Sequence, residues 1–475
     1  MRRHHSAGLG TADRPLNRPL GRRFLRETRP GLVPTPLSLL RAAPMQFHVL
    51  SFEGPDGYAR AGGIASRIEG LALALAGLGF ETHLWFVGDP WLSGHETQDQ
   101  LHLHRWCQWI SRYHPAGVYD GEEGKRNDFA ASLPPYLMDE VLRPHLARGR
   151  HAVVVAEEWQ TADAVLHLDW LLRRAGLRER ASILWNANNV FGFERIDWGR
   201  LAEASVITTV SRYMKHSMRR LGVDPIVIPN GLSADAFRPP DRAGVAELQR
   251  RLRGRTVIAK VARFDPDKRW LGALEIVRAL KRQGHRPLLI ARGGAEAHGH
   301  EVLATAGALG LRVVDRNLSD SRRVQGLLEG LEGLDSVDMV NLKAPVDPES
   351  RRVLFRGADA VLANSSHEPF GLVGLETMAA GGIACTGISG EDYAVPGRNA
   401  LVLQTEDPRE FVGLFQRLQA HPAEAESMRR AGRHTAKLYA WPEIIQRLFL
   451  PRLDLLRSGR WSVFGDPGAA LQVHG

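Results

Sequence analysis

The chain has 475 residues, of which 44 % are hydrophobic and 24 % are charged, a composition typical of a globular protein and a length too great for one ordinary core. It carries no run of about 18 apolar residues that could span a bilayer. Its two cysteines, Cys107 and Cys385, lie far apart without metal-ligand spacing, which argues against a disulfide framework or a zinc site and favours a reducing, cytoplasmic location.

Most of the net charge of +9 belongs to the first 44 residues, which hold nine arginines and only two acidic residues. The rest of the chain is nearly neutral, so we expect no nucleic-acid partner. Residues 1–44 are rich in arginine and proline and show no apolar periodicity, which predicts disorder. Three interpretations of this tail stay open: a disordered extension, an over-extended start upstream of Met45, and a targeting segment.

Short apolar runs alternate with helical patterns from Met45 onward, which is typical of parallel sheets. In the first half this pattern predicts a helix over residues 64–78 and six strands. The strands are expected at residues 47–51, 82–87, 152–156, 182–185, 205–210 and 225–228. Together they predict a first doubly wound α/β domain over residues 45–235.

The periodicity fades between residues 91 and 150, where the glycine-rich stretch 117–124 predicts a long functional loop or an insertion. His102 and His104 alternate here with two leucines, as side chains do on a strand. We therefore expect these histidines to share one strand face and not to bind a metal.

A segment rich in turn residues, 229–240, separates this domain from a second one with the same alternation. Strands are expected at residues 256–262, 286–291, 311–314, 338–342 and 360–363, with helices at 271–283 and 348–357 between them. They predict a second doubly wound domain over residues 236–440. Residues 441–475 predict an amphipathic helix, broken by Pro451, that docks on the core, followed by a tail.

Two doubly wound domains leave a cleft between the carboxyl ends of their strands, where ligands bind in this architecture. A Glu-Pro-Phe-Gly-Leu sequence that opens a helix begins at Glu368. The N–H groups of Phe370, Gly371 and Leu372 would point into the cleft, and with the helix dipole they favour a diphosphate or a sugar oxygen. Glu368 and Glu376 would offer carboxylates to sugar and ribose hydroxyls.

Two cations follow the first predicted strand of the second domain. Arg263 and Lys268 lie on a turn that Pro266 fixes. Departure of a nucleoside diphosphate builds negative charge on its β-phosphate, and two preorganised cations would stabilise that charge. The Arg-x4-Lys spacing is weak evidence alone and becomes specific when it is paired with the downstream carboxylates.

Three motifs resemble retaining glycosyltransferases of family 4, which have the GT-B fold. They are Val-Ala-Arg-Phe-Asp-Pro-Asp-Lys at 261–268, Ile-Pro-Asn-Gly at 228–231 and the Glu-x7-Glu segment at 368–376. The resemblance runs from about Met45 to Leu456 and extends distantly to glycogen and starch synthases. It implies two Rossmann-like domains that face each other across a cleft, with a C-terminal helix that crosses back to the first.

The resemblance also implies roles for single residues. Arg263 and Lys268 would hold the donor diphosphate and act in catalysis with Glu368, which would hold hydroxyls of the donor sugar. Glu376 would bind the ribose, and the three amides at the helix start would serve sugar or phosphate. Since these groups replace a divalent ion, neither a metal nor a cofactor is implied.

In the first domain, residues 60–64 are similar to the Lys-x-Gly-Gly-Leu loop of glycogen and starch synthases. Arg60 stands at the lysine position. Gly62 and Gly63 would let backbone N–H groups approach the donor phosphates.

The sequence departs from its relatives on the acceptor side. Many of them carry a histidine before an Asp-Trp pair, whereas this chain has Glu157 and Glu158 there. One of these glutamates, together with Asn186 at the end of a later strand, is expected to contact the acceptor. Capping of loops is the alternative interpretation for these residues.

These expectations combine into one reaction, the transfer of a hexosyl group from a nucleotide sugar to a carbohydrate or other hydroxyl acceptor with retained configuration. Alternatives stay open: a catalytically silent nucleotide-sugar-binding protein, a glycan phosphorylase, or a sugar-nucleotide epimerase. A dinucleotide-dependent oxidoreductase is disfavoured, because no strand runs into Gly-x-Gly-x-x-Gly. The donor base, the sugar, the acceptor and the oligomeric state are left open.

Overall fold

The computed structural model describes residues 45–318 and 323–458, and within these ranges the chain forms two sheets flanked by helices. The expectations for residues 1–44 and for the tail after residue 458 lie outside the described residues. Within the described ranges, no helix is both long enough and apolar enough to cross a membrane.

The first sheet is mostly parallel. In the described ranges its strands are β1 (Met45–Leu50), β2 (Glu81–Val87), β3 (His95–Gln98), β4 (Leu101–Trp106), β5 (His151–Glu157), β6 (Ala181–Ala187), β7 (Val206–Thr209) and β8 (Ile226–Val227). Their order is β3-β4-β2-β1-β5-β6-β7-β8, and only the pairing of β3 with β4 is antiparallel. The central strand β1 is buried along its whole length, as expected for a strand that is covered on both faces.

The second sheet is parallel throughout. Among the described residues it contains β9 (Thr256–Val261), β10 (Pro287–Arg292), β11 (Val313–Arg316), β12 (Met339–Leu342), β13 (Ala360–Ala363), β14 (Ala384–Thr386) and β15 (Leu401–Val402). Their order is β11-β12-β10-β9-β13-β14-β15. The fold class predicted from the alternation of strand and helix patterns is therefore confirmed.

Helices connect the strands and cover both faces of each sheet. The α-helices of the first part are Gly63–Gly77, Gln108–Ser111, Glu122–Tyr136, Arg143–Ala147, Ala162–Arg174, Trp198–Ala204 and Arg212–Arg219. Those of the second part are Arg242–Arg251, Trp270–Arg282, His298–Ala308, Val324–Gly330, Pro348–Gly357, Leu372–Ala379, Pro408–Ala420 and Pro422–Leu438.

The predicted strands are confirmed to within two residues at each end. The sequence analysis missed β14 and β15, whose lengths of three and two residues are too short to show a period of two. The expected alternation of His102 and His104 on one strand face is confirmed in β4.

The loop expected at residues 117–124 is observed only in part, because the helix Glu122–Tyr136 begins directly after Gly121. The stretch from 91 to 150, where the periodicity fades, also contains the β3–β4 hairpin. The helix was not predicted, because two prolines stand inside it. Pro134 has no N–H for the carbonyl of Ala130, and the ring Nδ1 of His167 lies 2.9 Å from that oxygen instead. A π-helical turn, Leu137–Leu142, then follows.

The C-terminal helix consists of Trp441–Ile444, the π-helical turn Ile445–Phe449 and Leu450–Arg457, and it packs back on the first sheet, as the resemblance implied. Its apolar side chains join the cluster that covers β1, and Trp441, Ile445 and Leu453 are buried there with Phe47. The helix is not broken at Pro451, which corrects the sequence analysis. Pro451 stands in the first turn of Leu450–Arg457, directly after a π-helical turn, where a missing N–H costs less.

Candidate active site

Each sheet reverses its strand order beside its first strand, and such a reversal marks the ligand crevice of doubly wound folds. In the first sheet β1 lies between β2 and β5, and in the second sheet β9 lies between β10 and β13. The loops after β1 and β5 hold Gly62 and Glu158, while the loops after β9 and β13 hold Lys268 and Glu368. The structure therefore gathers the predicted residues of each domain at one crevice.

A cation and a carboxylate meet where two of these loops touch. Lys268 Nζ lies 2.6 Å from Glu368 Oε2, and both side chains are about one-fifth exposed, at 21 % and 19 %. The Ser365 hydroxyl donates to the same oxygen at 2.8 Å. Partial burial of this ion pair strengthens it, and its exposed part stays available to a ligand.

Hydrogen bonds lock the same two loops together. The Ser366 N–H donates to the Asp267 carbonyl at 2.8 Å, and the Ser366 hydroxyl donates to the Asp267 carboxylate at 3.1 Å. Arg263 has 63 % of its side chain exposed, and its guanidinium lies 4.0 Å from the Asp265 carboxylate. Most of the donors of Arg263 are thus accessible to an anion.

The helix Leu372–Ala379 starts from a backbone that only glycine adopts easily. Gly371 has a φ of +81°, and a Cβ at this position would lie 2.8 Å from the Glu391 side chain. The Tyr393 hydroxyl donates to the Gly371 carbonyl. The buried Phe370 ring packs against the Tyr393 ring, with the two ring centroids 5.8 Å apart. Among the described residues, the N–H groups of Gly371 and Leu372 donate to no protein acceptor, as expected in a first helical turn.

Glu376 has one carboxylate oxygen with a distant partner and one with none. Its Oε1 lies 3.5 Å from the Arg351 guanidinium. Its Oε2 is buried, and no hydrogen-bond partner for it lies among the described residues. Since a buried carboxylate oxygen normally accepts a hydrogen bond, this atom is suited to a ligand hydroxyl.

The glycine loop of the first domain faces that helix. A Cβ on Gly63 would lie 3.9 Å from Leu372 Cδ1, so the two domains nearly touch here. The Gly62 N–H already donates to Glu53 Oε2 at 3.1 Å, and Tyr119 donates to the other oxygen of Glu53 at 2.7 Å. In this conformation Gly62 is therefore held by the protein, while its predicted contact with phosphate stays a prediction.

Arg60 lies on the surface of this loop. Its guanidinium forms an ion pair with Glu69 at 2.6 Å, and 42 % of the side chain is exposed. An exposed pair of this kind contributes little to stability, so Arg60 can exchange its partner for a ligand at low cost.

Glu157 and Asn186 form a buried polar network in the first domain. The Arg67 Nε lies 3.1 Å from both oxygens of Glu157, and the amides of Asn186 and Asn188 donate to Glu157 at 2.9 Å and 2.8 Å. Arg67 also donates to Asn230 at 2.6 Å. All these side chains are buried, so an acceptor would reach this network only after rearrangement, and the predicted acceptor role stays untested.

Glu158 stands in a strained backbone conformation next to this network. Its φ is +68°, and its side chain accepts a hydrogen bond from the Asn188 N–H at 2.6 Å. Burial raises the pKa of the Glu158 carboxyl to about 8, and the Glu157 and Glu53 carboxylates add to the rise. Strain together with a raised pKa is typical of functional positions, and it makes Glu158 a candidate for proton exchange.

Two further hydrogen-bonded contacts link the domains. The Asp392 carboxylate accepts hydrogen bonds from the N–H of Arg212 at 2.8 Å and from its guanidinium at 3.1 Å. At a second contact the Leu232 N–H donates to the Tyr439 carbonyl at 2.8 Å, and the Trp441 N–H donates to the Leu232 carbonyl at 3.1 Å. Backbone and side-chain hydrogen bonds thus connect the two domains at both places.

Comparison with known proteins identifies the second half of the chain. Residues 249–435 match the family model described as glycosyl transferases group 1. This part of the chain is a group 1 glycosyltransferase domain. It contains β9 to β15 and therefore both loops that carry Lys268 and Glu368.

Curated relatives of the group 1 domain and its neighbours are similar over only part of their length. A D-inositol 3-phosphate glycosyltransferase of Thermomonospora curvata is 24 % identical over 273 residues, which are 55 % of this chain and 59 % of that protein. The enzyme of the same name from Streptomyces avermitilis is 30 % identical over 119 residues, 25 % of this chain and 26 % of the relative. The chain thus spans less than two thirds of these relatives.

Two solved structures match nearly the whole fold. Sucrose-phosphate synthase of Thermosynechococcus elongatus has a TM-score of 0.61 at 19 % identity, covering 87 % of this chain and 100 % of that one. Anabaena HepE, solved with UDP and glucose, has a TM-score of 0.56 at 12 % identity, covering 86 % and 100 %. The architecture around the group 1 domain is therefore the GT-B fold.

The sequence analysis missed a buried lysine in the group 1 domain. Lys260, on β9, donates to Asn364 Oδ1 at 3.1 Å, and its Nζ lies 5.4 Å from the centre of the Trp270 ring. Burial and, to a smaller extent, the positive charge of Lys268 together lower the pKa of Lys260 to about 7. A lysine inside an otherwise apolar strand, directly before the Arg–Lys turn, was the available signal.

Glu391 is a second site residue that was not predicted from the sequence. The Ser389 hydroxyl donates to Glu391 Oε2 at 3.3 Å and accepts from the N–H of Glu368 at 2.9 Å. Glu391 Oε1 is buried, with no partner among the described residues. Burial raises the pKa of Glu391 to about 7, and the nearby Glu368 carboxylate adds to the rise. A second carboxyl group thus stands behind the helix start.

Proposed function

We propose that this protein is a retaining glycosyltransferase that moves a hexosyl group from a nucleoside-diphosphate sugar to a hydroxyl acceptor. The observation that carries the proposal is the unused binding capacity at the crevice of the second domain. An exposed Arg263, two free N–H groups at the helix start and the unpartnered Glu376 oxygen lie on loops and a helix beside the Lys268–Glu368 pair. A diphosphate, a sugar and a ribose together would satisfy this set.

Each residue then has a defined task in the reaction. Arg263 and Lys268 hold the diphosphate and stabilise the negative charge that grows on its β-phosphate as the bond from phosphate oxygen to C1 breaks. Glu368 accepts hydrogen bonds from hydroxyls of the transferred sugar. The acceptor oxygen bonds to C1 on the face that the phosphate leaves, and its proton passes to the departing phosphate oxygen, so the configuration is retained.

The chemistry as proposed needs no divalent ion, because the two cations and the helix N-terminus supply the positive charge that a metal supplies elsewhere. Closure of the two domains around the donor would exclude water and suppress hydrolysis. A cytoplasmic location is proposed with it, because both cysteines are buried free thiols.

Two comparisons guide the choice of substrates. Anabaena HepE was solved with UDP and glucose, so UDP-glucose is the first donor to test. The curated relatives are named for D-inositol 3-phosphate, so a phosphorylated polyol is the first acceptor to test, beside simple sugars and sugar phosphates.

The test is a turnover assay of the full chain with UDP-, ADP- and GDP-hexoses against this acceptor panel, with and without a chelator. We expect product with the α-anomeric configuration of the donor and unchanged rates in the chelator. Lys268→Ala and Arg263→Ala should each lower kcat about 10²–10³-fold. Arg282→Ala, an exposed arginine elsewhere in the second domain, is the control and should keep the parent rate.

Three results would contradict the proposal. Donor binding without turnover across the panel would favour the silent nucleotide-sugar-binding alternative. Inverted product would contradict the retaining mechanism. If the Lys268→Ala variant were as active as the Arg282→Ala control, the proposed contact between Lys268 and the phosphate would be excluded.

A further inference from the structure

A cluster of metal-ligating side chains lies in the first sheet, away from the crevice. Glu81 and His83 are on β2, and His102 is on the neighbouring strand β4. The strand register places His83 opposite His102, and their rings stack with centroids 4.5 Å apart. One ligand atom from each of the three residues lies within 4.8 Å of the other two.

Neighbouring side chains contact the Nδ1 atom of both imidazole rings. His102 Nδ1 lies 3.0 Å from the Thr97 hydroxyl, and His83 Nδ1 lies 2.9 Å from His104 Nε2. Partners of this kind orient the histidine ligands of metal sites and fix the ring nitrogen that faces the ion. The Nε2 atoms of both rings are therefore the candidate ligand atoms.

An amide group now occupies the space between two of the three ligands. Gln46 Nε2 lies 2.8 Å from Glu81 Oε1 and 3.0 Å from His83 Nε2, and these two ligand atoms are 3.5 Å apart. An NH2 group that bridges a carboxylate and an imidazole stands where both lone pairs point. A cation at this position would satisfy the same two lone pairs more strongly.

The surroundings suit a metal in two more respects. His83 is buried, while Glu81 and His102 are half-buried, so an ion can enter from solvent. Two imidazoles and a carboxylate are a ligand set that suits zinc and similar ions.

We propose that Glu81, His83 and His102 bind one borderline transition-metal ion of the Zn²⁺ type as a structural site in the first domain. Glu81 is the first residue of β2, at the end of the sheet opposite the carboxyl ends where the crevice lies. The ion would tie β2 to β4 and, through Thr97, to the hairpin strand β3. It would take no part in the transfer reaction.

The sequence analysis considered His102 with His104, its neighbour along one strand, and expected no metal. The structure brings His102 instead to two residues of another strand, about 20 residues earlier in the chain. The competing interpretation is a row of histidines that satisfy one another's hydrogen bonds without an ion.

The experiment is a titration of the full chain, stripped with a chelator and desalted, with Zn²⁺ in a calorimeter. We expect one ion per chain, and a rise of the melting temperature at saturating Zn²⁺. His83→Gln and His102→Gln should abolish the bound ion, and Thr97→Val should weaken binding about 10–100-fold. His434→Gln, an exposed histidine of the second half, is the control and should keep full binding.

The Glu81→Gln variant tests metal binding with little risk of unfolding, because it changes a half-exposed residue at a strand end and preserves the size of the side chain. We expect weaker binding with an unchanged circular dichroism spectrum. Co²⁺ in place of Zn²⁺ should give visible absorption bands that His102→Gln removes. Absence of binding by the stripped protein, or equal binding by the parent and the His83→Gln variant, would overturn the proposal in favour of the metal-free histidine row.

Discussion

Glu376 shows how one atom can report a missing partner. Its Oε2 is buried without a hydrogen-bond partner in the described part of the chain, while Oε1 keeps a long contact of 3.5 Å with Arg351. Leaving a buried carboxylate oxygen unsatisfied costs free energy. A ligand hydroxyl that donates to this oxygen would recover that cost on binding, so this residue should affect donor affinity more than chemistry.

The first prediction follows from this atom. Glu376→Ala should raise the dissociation constant of the donor nucleotide about 10–100-fold, the value of a hydrogen bond to a charged group, with a smaller effect on kcat. Calorimetric titration with UDP, ADP and GDP measures it. Glu349→Gln, an exposed acid on a neighbouring helix, should leave the affinity unchanged. Equal affinities for Glu376→Ala and the parent would exclude a ribose contact.

Lys260 makes a prediction on stability, because its pKa falls to about 7 on burial whereas the unfolded chain keeps the ordinary value near 10.5. Between these two pH values the unfolded state binds more protons than the folded state, so the free energy of unfolding rises with pH. Below about pH 7 the full cost of charging the buried lysine is present. This cost is relieved as the pH rises through that window.

Lys260→Met should therefore raise the free energy of unfolding at about pH 7 and flatten its rise towards about pH 9.5. Urea unfolding of parent and variant at both pH values measures the difference. Lys437→Met, at an exposed position, should reproduce the slope of the parent. A Lys260→Met slope as steep as that of the parent would show that another group titrates in this range.

At the scale of elements, the ring of Trp441 anchors the C-terminal helix, and it fits because two of its neighbours, Gly70 and Gly231, have no side chain. A Cβ on Gly70 would lie 2.4 Å from Trp441 Nε1, and a Cβ on Gly231 would lie 2.4 Å from Cδ2 of the same ring. The Arg67 guanidinium lies 5.4 Å from the ring centre. Trp441 thus joins the first-domain helix, the inter-domain segment and the buried Arg67–Glu157 network.

This geometry gives a prediction with a control inside one helix. Gly70→Ala should destabilise the protein by about 1–3 kcal/mol through overpacking against Trp441. Gly77→Ala changes the same helix where a Cβ meets nothing within 4 Å, and there alanine should be neutral or stabilising by up to about 1 kcal/mol. Thermal or urea unfolding distinguishes the two. A destabilisation shared by both variants would point to the helix backbone and not to the ring.

At the scale of the whole molecule, one polar contact that links the two domains is the pair of Asp392 and Arg212. Asp392 of the second domain receives two hydrogen bonds from Arg212, which begins a helix of the first domain. The Arg212 side chain is 71 % exposed, so the pair is worth only about 0.2–1 kcal/mol. A contact of this size shifts the equilibrium between a form in which the two domains are apart and one in which they are closed around the donor, but it leaves both forms populated.

Asp392→Ala should therefore shift the protein without a ligand about two- to five-fold towards the open form. Small-angle X-ray scattering should show a larger radius of gyration for the variant, and saturating donor nucleotide should remove most of the difference. Asp224→Ala removes a surface ion pair within the first domain and should not change the scattering. Identical scattering for parent and Asp392→Ala would show that the pair does not affect closure.

The amino-acid sequence by itself determined the alternation of strands and helices, the two doubly wound domains and the loops that carry Arg263, Lys268 and Glu368. Strands and helix starts can be predicted because they depend on patterns in consecutive residues. The position of the loops follows, because the carboxyl ends of parallel strands lie at the same edge of a sheet. The helix through Pro134 escaped notice, since its lost hydrogen bond is compensated by His167, a residue of another helix.

Only the tertiary structure decided which distant residues meet. Arg67 and Glu157 are 90 positions apart, and Lys260 and Asn364 are 104 apart. The periodicity of the sequence does not indicate such pairs. The entropic cost of bringing two residues together grows only slowly with the number of residues between them, so almost any separation is possible. For the same reason the sequence offered Glu157 as an acceptor contact, whereas folding buries it against Arg67. His83 and His102 likewise become neighbours only when β2 and β4 pair in register.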